Sequence, residues 1–379
     1  MKRATITVLS LLTIIVGLAL IAIGFTKKTV HEVSWGFLIV GYTMFALMAS
    51  GSTVVNSIYA LFGYKGPKEE LASSIKLGVL FSIAALVPGL LTIAADVSRP
   101  WDFWKIYVYF NVDSNIAWMV VLYTILMALL VVELVLFIRT GSVELTGSLK
   151  WIKPVVAALA LITTLLASSN LAQVFGSLIS VPGWHGLLAP YFITVAILLG
   201  ASGQALFVTL TLRDRTEIVR FLARYYGFIL TLALPVLAFF LFWNIVLARR
   251  SVAWLTYSEI VTGTYSLGFW GIVVTLGVAV PFVLAFYSFV TSRYATVALA
   301  SVLVLIALLY NMYLQIIVHQ LKAYEPLANV IREVSYSLSS SEVMVMLGSI
   351  IIWPSLYVLA LQLLPLMSEE KPSRLYIFK

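Results

Sequence analysis

The sequence predicts an all-α polytopic membrane protein of about ten transmembrane helices, and three observations carry that reading. Between Lys153 and Arg213 the chain runs 59 residues without a charged side chain, with His185 its sole titratable group. One helical crossing takes about 20 apolar residues, so this stretch holds two. Hydrophobic residues make up 62% of the chain and charged residues 11%. An ordinary soluble domain carries about 25% charged residues, so this composition cannot supply a water-exposed surface. Finally, the few charges cut the rest of the chain into apolar runs of similar length.

Taken in order, those runs place helices near 5–25, 34–62, 74–96, 115–138, 154–177, 187–212, 225–248, 267–291, 294–318 and 343–367, with Arg293 alone dividing the eighth from the ninth. Met1-Lys2-Arg3 starts the first run like a signal peptide. Its apolar part reaches Phe25, however, and Lys27-Lys28 follow instead of a small-residue cleavage site. A retained first span is expected.

Lys and Arg placement orients these spans. One face takes Lys2, Arg3, Lys65, Lys68, Lys76, Arg139, Lys150, Lys153, Arg213, Arg215, Arg220, Arg224, Arg293 and the tail residues Lys371, Arg374 and Lys379, 16 in all. The other takes 8: Lys27, Lys28, Arg99, Lys105, Arg249, Arg250, Lys322 and Arg332. The bias predicts a multi-pass protein of the cytoplasmic membrane with both termini in the cytoplasm. His31, His185 and His319 then all fall at the outer face.

Composition also excludes chemistry. With no Cys the chain holds no disulfide, thiolate metal site or iron–sulfur cluster of its own. The net charge of +8 comes from cations scattered singly between apolar runs, which does not describe a nucleic-acid surface. Haem is not expected, because the histidines sit near helix ends rather than paired within a bundle. Neither H-E-x-x-H nor G-x-S-x-G occurs, so an intramembrane hydrolase has little support.

An internal echo organises the spans. Ala49-Ser50-Gly51 in the second recurs as Ala201-Ser202-Gly203 in the sixth, and the following helices carry Pro88 and Pro235. Asn170 and Gln173 in the fifth span match Asn311 and Gln315 in the ninth. Equivalents lie four spans apart, so the halves share one orientation, a parallel repeat of two four-helix bundles. Small residues that simply permit close helix packing are the alternative. The expected division is an N-terminal helix (1–30), a first bundle (31–180), a second bundle (181–322) and a C-terminal loop, helix and tail (323–379).

Specific segments carry a family resemblance. Ser34-Trp35-Gly36-Phe37 through Gly41-Tyr42 to Ala49-Ser50-Gly51 resembles the opening of the NrfD/PsrC family, membrane subunits of polysulfide, tetrathionate and dimethyl-sulfoxide reductases and of some hydrogenases. The loop Asp96-Val97-Ser98-Arg99-Pro100-Trp101-Asp102-Phe103-Trp104, followed by Ser114-Asn115-Ile116-Ala117-Trp118, is similar to that family's D-x-x-R-P-x-x-F-W … S-x-x-x-W pattern. Val181-Pro182-Gly183-Trp184-His185, Pro190 and Ala201-Ser202-Gly203 resemble its R-P-x-W … P … S-G segment, with Val181 in place of the usual Arg. The resemblance implies a subunit that binds a quinone of menaquinone type near the outer face. It would exchange electrons there with an iron–sulfur partner serving a large molybdopterin or hydrogenase subunit, and would not be a complete enzyme alone.

Site candidates follow, each beside its plainer role. The resemblance puts ring-binding positions on Trp35, Tyr42 and Asn170. Tyr42 otherwise reads as packing or an interfacial anchor, and Asn170 as an interhelical hydrogen bond. Asp96 ends an apolar helix three residues before Arg99. It reads either as the acceptor of a quinol proton or as half of a structural Asp–Arg pair. His31 and His185 are proton acceptors by type, or solvated loop residues. Glu133 lies inside a span, six residues from Arg139. It belongs to a proton path from the cytoplasm, or snorkels to the nearby surface. Trp101, Trp104, Tyr107, Tyr109 and Phe110 form an interfacial belt in the bilayer or part of a docking surface. The rival function is a transporter, since mid-span Pro88, Pro235, Pro281 and Pro354 and an internal repeat also suit broken-helix carriers.

Overall fold

The computed structural model describes residues 3–27, 31–62, 68–140, 151–178, 180–185, 187–325 and 330–366. Lys2, Lys28, Lys65, Lys150 and the tail residues Lys371, Arg374 and Lys379, used above for orientation, lie outside these residues. The helices are α1 (Arg3–Thr26), α2 (Phe37–Phe62), α3 (Lys68–Asp96), α4 (Lys105–Val108), α5 (Asn115–Thr140), α6 (Ile152–Gly176), α7 (Leu188–Thr211), α8 (Thr216–Ala248), α9 (Trp254–Val261), α10 (Val280–Thr291), α11 (Tyr294–Ile316) and α12 (Ser340–Leu363). A π-helical segment, Gly268–Ala279, runs directly into α10.

Among the described residues ten helices are long and apolar enough to cross a membrane, one for each apolar run. Helical geometry follows from the environment, because a chain in hydrocarbon must satisfy its backbone polar groups internally. α3 and α8 start earlier than the apolar runs, at Lys68 and Thr216. Charge ends an apolar run but does not interrupt backbone hydrogen bonding. Arg293 is a true break: Ser292 takes a left-handed conformation (φ 57°) and Arg293 is extended. Pro88, Pro235 and Pro354 all lie within continuous helices.

Packing repeats along the chain. α2 packs on α3 and α6, and α5 on α6 and α3, which closes one ring. α7 packs on α8 and α11, and α10 on α8 and α11, which closes a second. The two rings meet chiefly along α2 and α7. There the backbones approach so closely that a Cβ at Gly51 would overlap the Ala196 carbonyl, and one at Gly200 the Gly51–Ser52 peptide. The Ala-Ser-Gly echo therefore falls on a helix-packing seam. α1 and α12 pair with each other beside α3, where the Arg3 guanidinium donates to the Gln362 carbonyl.

The segments bearing His31, His185 and His319 gather at one end of the helices, termed here the histidine face. Two features of this face were not anticipated from sequence. One is an antiparallel hairpin, Lys322–Glu325 with Val330–Glu333, whose Tyr324 N–H donates to the Ser180 carbonyl at 3.0 Å. The other is α9, held to the hairpin by the Lys322–Glu259 ion pair at 2.9 Å. That contact lowers the Glu259 pKa and raises that of Lys322.

Candidate functional site

At the start of α2 the backbone needs partners for its first N–H groups. The Phe37 N–H donates to Glu342 Oε1 at 2.8 Å. The same carboxylate accepts from Tyr336 OH at 2.9 Å and from the Ser339 N–H at 3.0 Å, completing a capping box on α12. One buried anion thus serves two helix N-termini, where the macrodipole favours it. Burial and this carboxylate together push the Tyr336 phenol up, so it stays a donor. His31 Nε2 lies 3.0 Å from Glu342 Oε2 without hydrogen-bond alignment. His31 is therefore held against a structural carboxylate rather than loosely solvated.

Trp35 joins the two rings. Its N–H donates to Gln320 Oε1 at 3.1 Å, and its carbonyl accepts from Gln320 Nε2 at 2.9 Å. The indole stacks on Trp184 at 5.2 Å between centroids and meets Phe175 edge-on at 4.9 Å. Trp184 Nε1 in turn donates to the Gln315 carbonyl at 2.6 Å.

Inside the first ring, Tyr42 is buried and meets Tyr123 of α5 edge-on at 6.2 Å. Near them lies a group of buried hydroxyls: Tyr123 OH is set against Ser50 Oγ, and Thr164 Oγ1 and Ser168 Oγ have no hydrogen bond to protein. They come from α2, α5 and α6. Glu133 follows Tyr123 by ten residues on α5, about 15 Å along the helix. It is 5% exposed, set in the inward stripe of Leu126, Leu130 and Leu134. Protein covers it, so the snorkelling alternative does not describe it. Lys153 lies over the Phe137 ring one turn further on.

Asn170 makes an interhelical hydrogen bond. Its Nδ2 donates to the Asn115 carbonyl at 2.8 Å, while Asn115 Nδ2 donates to the Gln173 carbonyl at 3.3 Å. The pair ties the end of α6 to the start of α5. Asp96 is half-buried at the end of α3, next to Ala95, which packs with Leu38 and Met346. Beyond it Trp101, Phe103, Trp104 and Tyr109 are exposed around a short turn closed by Lys105–Asp102 at 2.9 Å.

Sequence reasoning missed two polar clusters. Where α2, α3, α7 and α8 meet, at the end opposite the histidines, Gln204 Nε2 donates to Ser52 Oγ at 2.6 Å and to Asn56 Oδ1 at 2.9 Å. Gln204 Oε1 accepts from Tyr226 OH at 3.0 Å. A cavity of about 10 Å³ adjoins this network, lined by Asn56, Gln204 and Tyr226 among others. The second cluster lies in the second ring at the histidine face. His319 is fully buried, with Nδ1 2.8 Å from Thr256 Oγ1 and its ring 4.6 Å from that of Tyr257. Asn311 Nδ2 donates to Tyr191 OH. His185 belongs to this group and not to the first ring; burial lowers its pKa. Only the echo of Asn311 and Gln315 in sequence hinted at the cluster.

The sequence-derived candidates thus divide among three places. His31 and Trp35 fix the start of α2. Tyr42, Asp96, Asn170 and Glu133 belong to the first ring, and His185 to the second.

Comparison with known proteins agrees with this architecture. Residues 25–323 match the family described as polysulphide reductase, NrfD. The chain is also 24% identical over 171 residues to an Hdr-like menaquinol oxidoreductase integral membrane subunit of Archaeoglobus fulgidus. That alignment covers 45% of this chain and 40% of the relative's length. The match across most of the chain, on ten membrane-length helices, assigns this protein to the NrfD family.

Proposed function

We propose that the chain is the quinone-interacting membrane subunit of a multi-subunit oxidoreductase, with its quinone site in the first ring near the histidine face. The observation that carries this reading is the group of buried hydroxyls from three helices around Tyr42, of which those of Thr164 and Ser168 have no protein partner. A head group with two carbonyls requires hydrogen-bonding side chains in an apolar setting. Tyr42, Tyr123, Ser50 and Ser168 provide them on three helices. The name of the Archaeoglobus fulgidus relative, a menaquinol oxidoreductase subunit, supports a quinone of menaquinone type. When bound, a quinone supplies two-electron, two-proton redox chemistry.

In this reading Tyr42 orients a ring oxygen, Asp96 accepts a proton at the mouth of the ring, and Trp35 holds the start of α2 that carries Tyr42. Asn170 acts by fixing the α5–α6 end. Glu133, with the hydroxyls of Thr164 and Ser50 between it and Tyr42, forms a proton path from the opposite face. Residues 31–180 and 181–322 then act as two bundles, the first for quinone. The exposed Trp101, Phe103, Trp104 and Tyr109 dock an iron–sulfur partner, which serves a larger catalytic subunit. That arrangement puts the histidine face outside the cytoplasmic membrane and both termini inside. Continuous helices through Pro88, Pro235 and Pro354 weigh against a broken-helix carrier.

The test is extraction in mild detergent, affinity capture and mass spectrometry, followed by a menaquinol-analogue oxidation assay on what is captured. A cysteine-rich iron–sulfur protein with a large redox subunit and quinol-linked turnover is the expected result. Crosslinked capture of the chain alone, with no such turnover, would overturn the reading.

A further inference from the structure

The second ring carries a concentration of buried polar atoms that no protein group satisfies. His319 Nε2 and Asn311 Oδ1 are unpaired, as are both side-chain polar atoms of Asn244 and the Nε2 of His185, while the Tyr257 hydroxyl is set against the Gln315 side chain. His319, Asn311 and Asn244 are at most 1% exposed, and Gln315 is 4% exposed. These groups are neighbours. Tyr257 packs on the His319 imidazole and on Ala248, one turn beyond Asn244 on α8. Gln315 precedes His319 by four residues and Asn311 precedes Gln315 by four, so the three share one face. Asn311 is bonded to Tyr191.

Each unpaired buried polar group costs stability comparable to a lost hydrogen bond, and native interiors rarely hold several together. The chemistry of the set identifies what would satisfy it. Asn311 presents a bare carbonyl oxygen, which needs a donor. Asn244 presents an amide that both donates and accepts. His319 holds Thr256 through Nδ1, so its Nε2 is fixed in place whichever tautomer is present. A ligand must therefore donate and accept at several angles within a small space. An aromatic head group does not fit, because the Tyr257 ring already packs at a tilt on the His319 ring, 4.6 Å between centroids, and Gly183 lies against the imidazole, where a Cβ would overlap it.

We propose that this cluster is an internal hydration site. Ordered water bridges His319, Asn311 and Asn244 beside the Tyr257–Gln315 pair, and His185 links it to the histidine face. Polar interiors of this kind hold bridging water with about three hydrogen bonds each. A row of waters between two imidazoles is also a route for protons. The inference rests on geometry in the second ring and is independent of where a quinone binds.

X-ray radiolytic footprinting of the unmodified chain in its native complex tests it directly, since hydroxyl radicals formed from bound water oxidise adjacent side chains even when these are buried. Tyr257 and His319 are expected to be labelled promptly, and Tyr357, equally buried but bonded to Thr211 Oγ1 at 3.2 Å, is not. Labelling of Tyr257 and His319 no faster than that of Tyr357 overturns the proposal.

Discussion

The two rings carry the same residue types at corresponding helix ends and use them differently. In the first, Asn170 donates to the Asn115 backbone while the Asn115 side chain reaches Gln173, so these amides fasten helix ends. In the second, Asn311 keeps its carbonyl oxygen unpaired inside a cluster with His319, where Gln315 meets Tyr257. The first ring instead leaves hydroxyls unpaired, at Thr164 and Ser168. The helices that precede them differ as well: α5 is a regular α-helix, whereas the helix before α11 begins as the π-helical segment Gly268–Ala279. Bulges of that type frequently accompany functional sites. The same residue types thus serve different ends, and their neighbours decide whether they hold helices or offer hydrogen bonds to a ligand.

The comparison depends on the seam between the rings, and the largest effect is expected there. Gly51→Leu forces a side chain into the Ala196 backbone of α7. Such overpacking costs about 3 kcal/mol, and loss of the assembled complex from detergent extracts is the expected outcome. Next come the first-ring positions. Tyr42→Phe and Asp96→Asn are expected to lower quinol-linked electron transfer by about 10–100-fold, the range of a lost proton acceptor or orienting group, with the complex still assembled on gels. Normal turnover in both variants would remove these residues from the mechanism.

Asn170→Ala sharpens the contrast. As a helix tie it should lower thermal stability by about 1 kcal/mol and leave the apparent affinity for quinol unchanged; a raised KM with unaltered stability would move Asn170 into the site. The smallest effect is expected at the Glu259–Lys322 pair. Lys322 holds the Glu259 carboxyl below its usual range, so the pair's contribution is present above about pH 4.3 and is lost as pH falls through the depressed folded value. At high pH it fades as Lys322 deprotonates, above about pH 10.4, since its folded pKa is raised. Both side chains are partly exposed, which limits the gain to about 0.5 kcal/mol. Melting of Lys322→Met against the parent at pH 7 and pH 3 should show a small gap that closes at the lower pH.

Much of the fold was legible in the sequence because hydrocarbon leaves the backbone little choice. Charge-free runs gave all ten membrane-length helices, and the break at Arg293 was placed correctly. What escaped lies outside the bilayer's constraint. The hairpin at Lys322–Glu333 and the short helix α9 depend on contacts between loops, such as Tyr324 with Ser180. The candidate site was legible only in part. Residue type marked Glu133, and the structure places it in an inward stripe. Type also marked His31 and Trp35, but not that a shared cap on Glu342 and a Trp184 stack hold them. His319 looked like a helix-end histidine. Its burial follows from α9 and the Gly183 loop closing over it, two long-range contacts with no local signature.

The most direct test of the central claim is photoaffinity labelling of the native complex with an azido-menaquinone analogue, with the modified peptides read by mass spectrometry. The account predicts labelling on α2 and α5 around Tyr42 and Tyr123, suppressed by excess unlabelled menaquinone. Specific labelling confined to the second ring, or none that excess menaquinone suppresses, would contradict it.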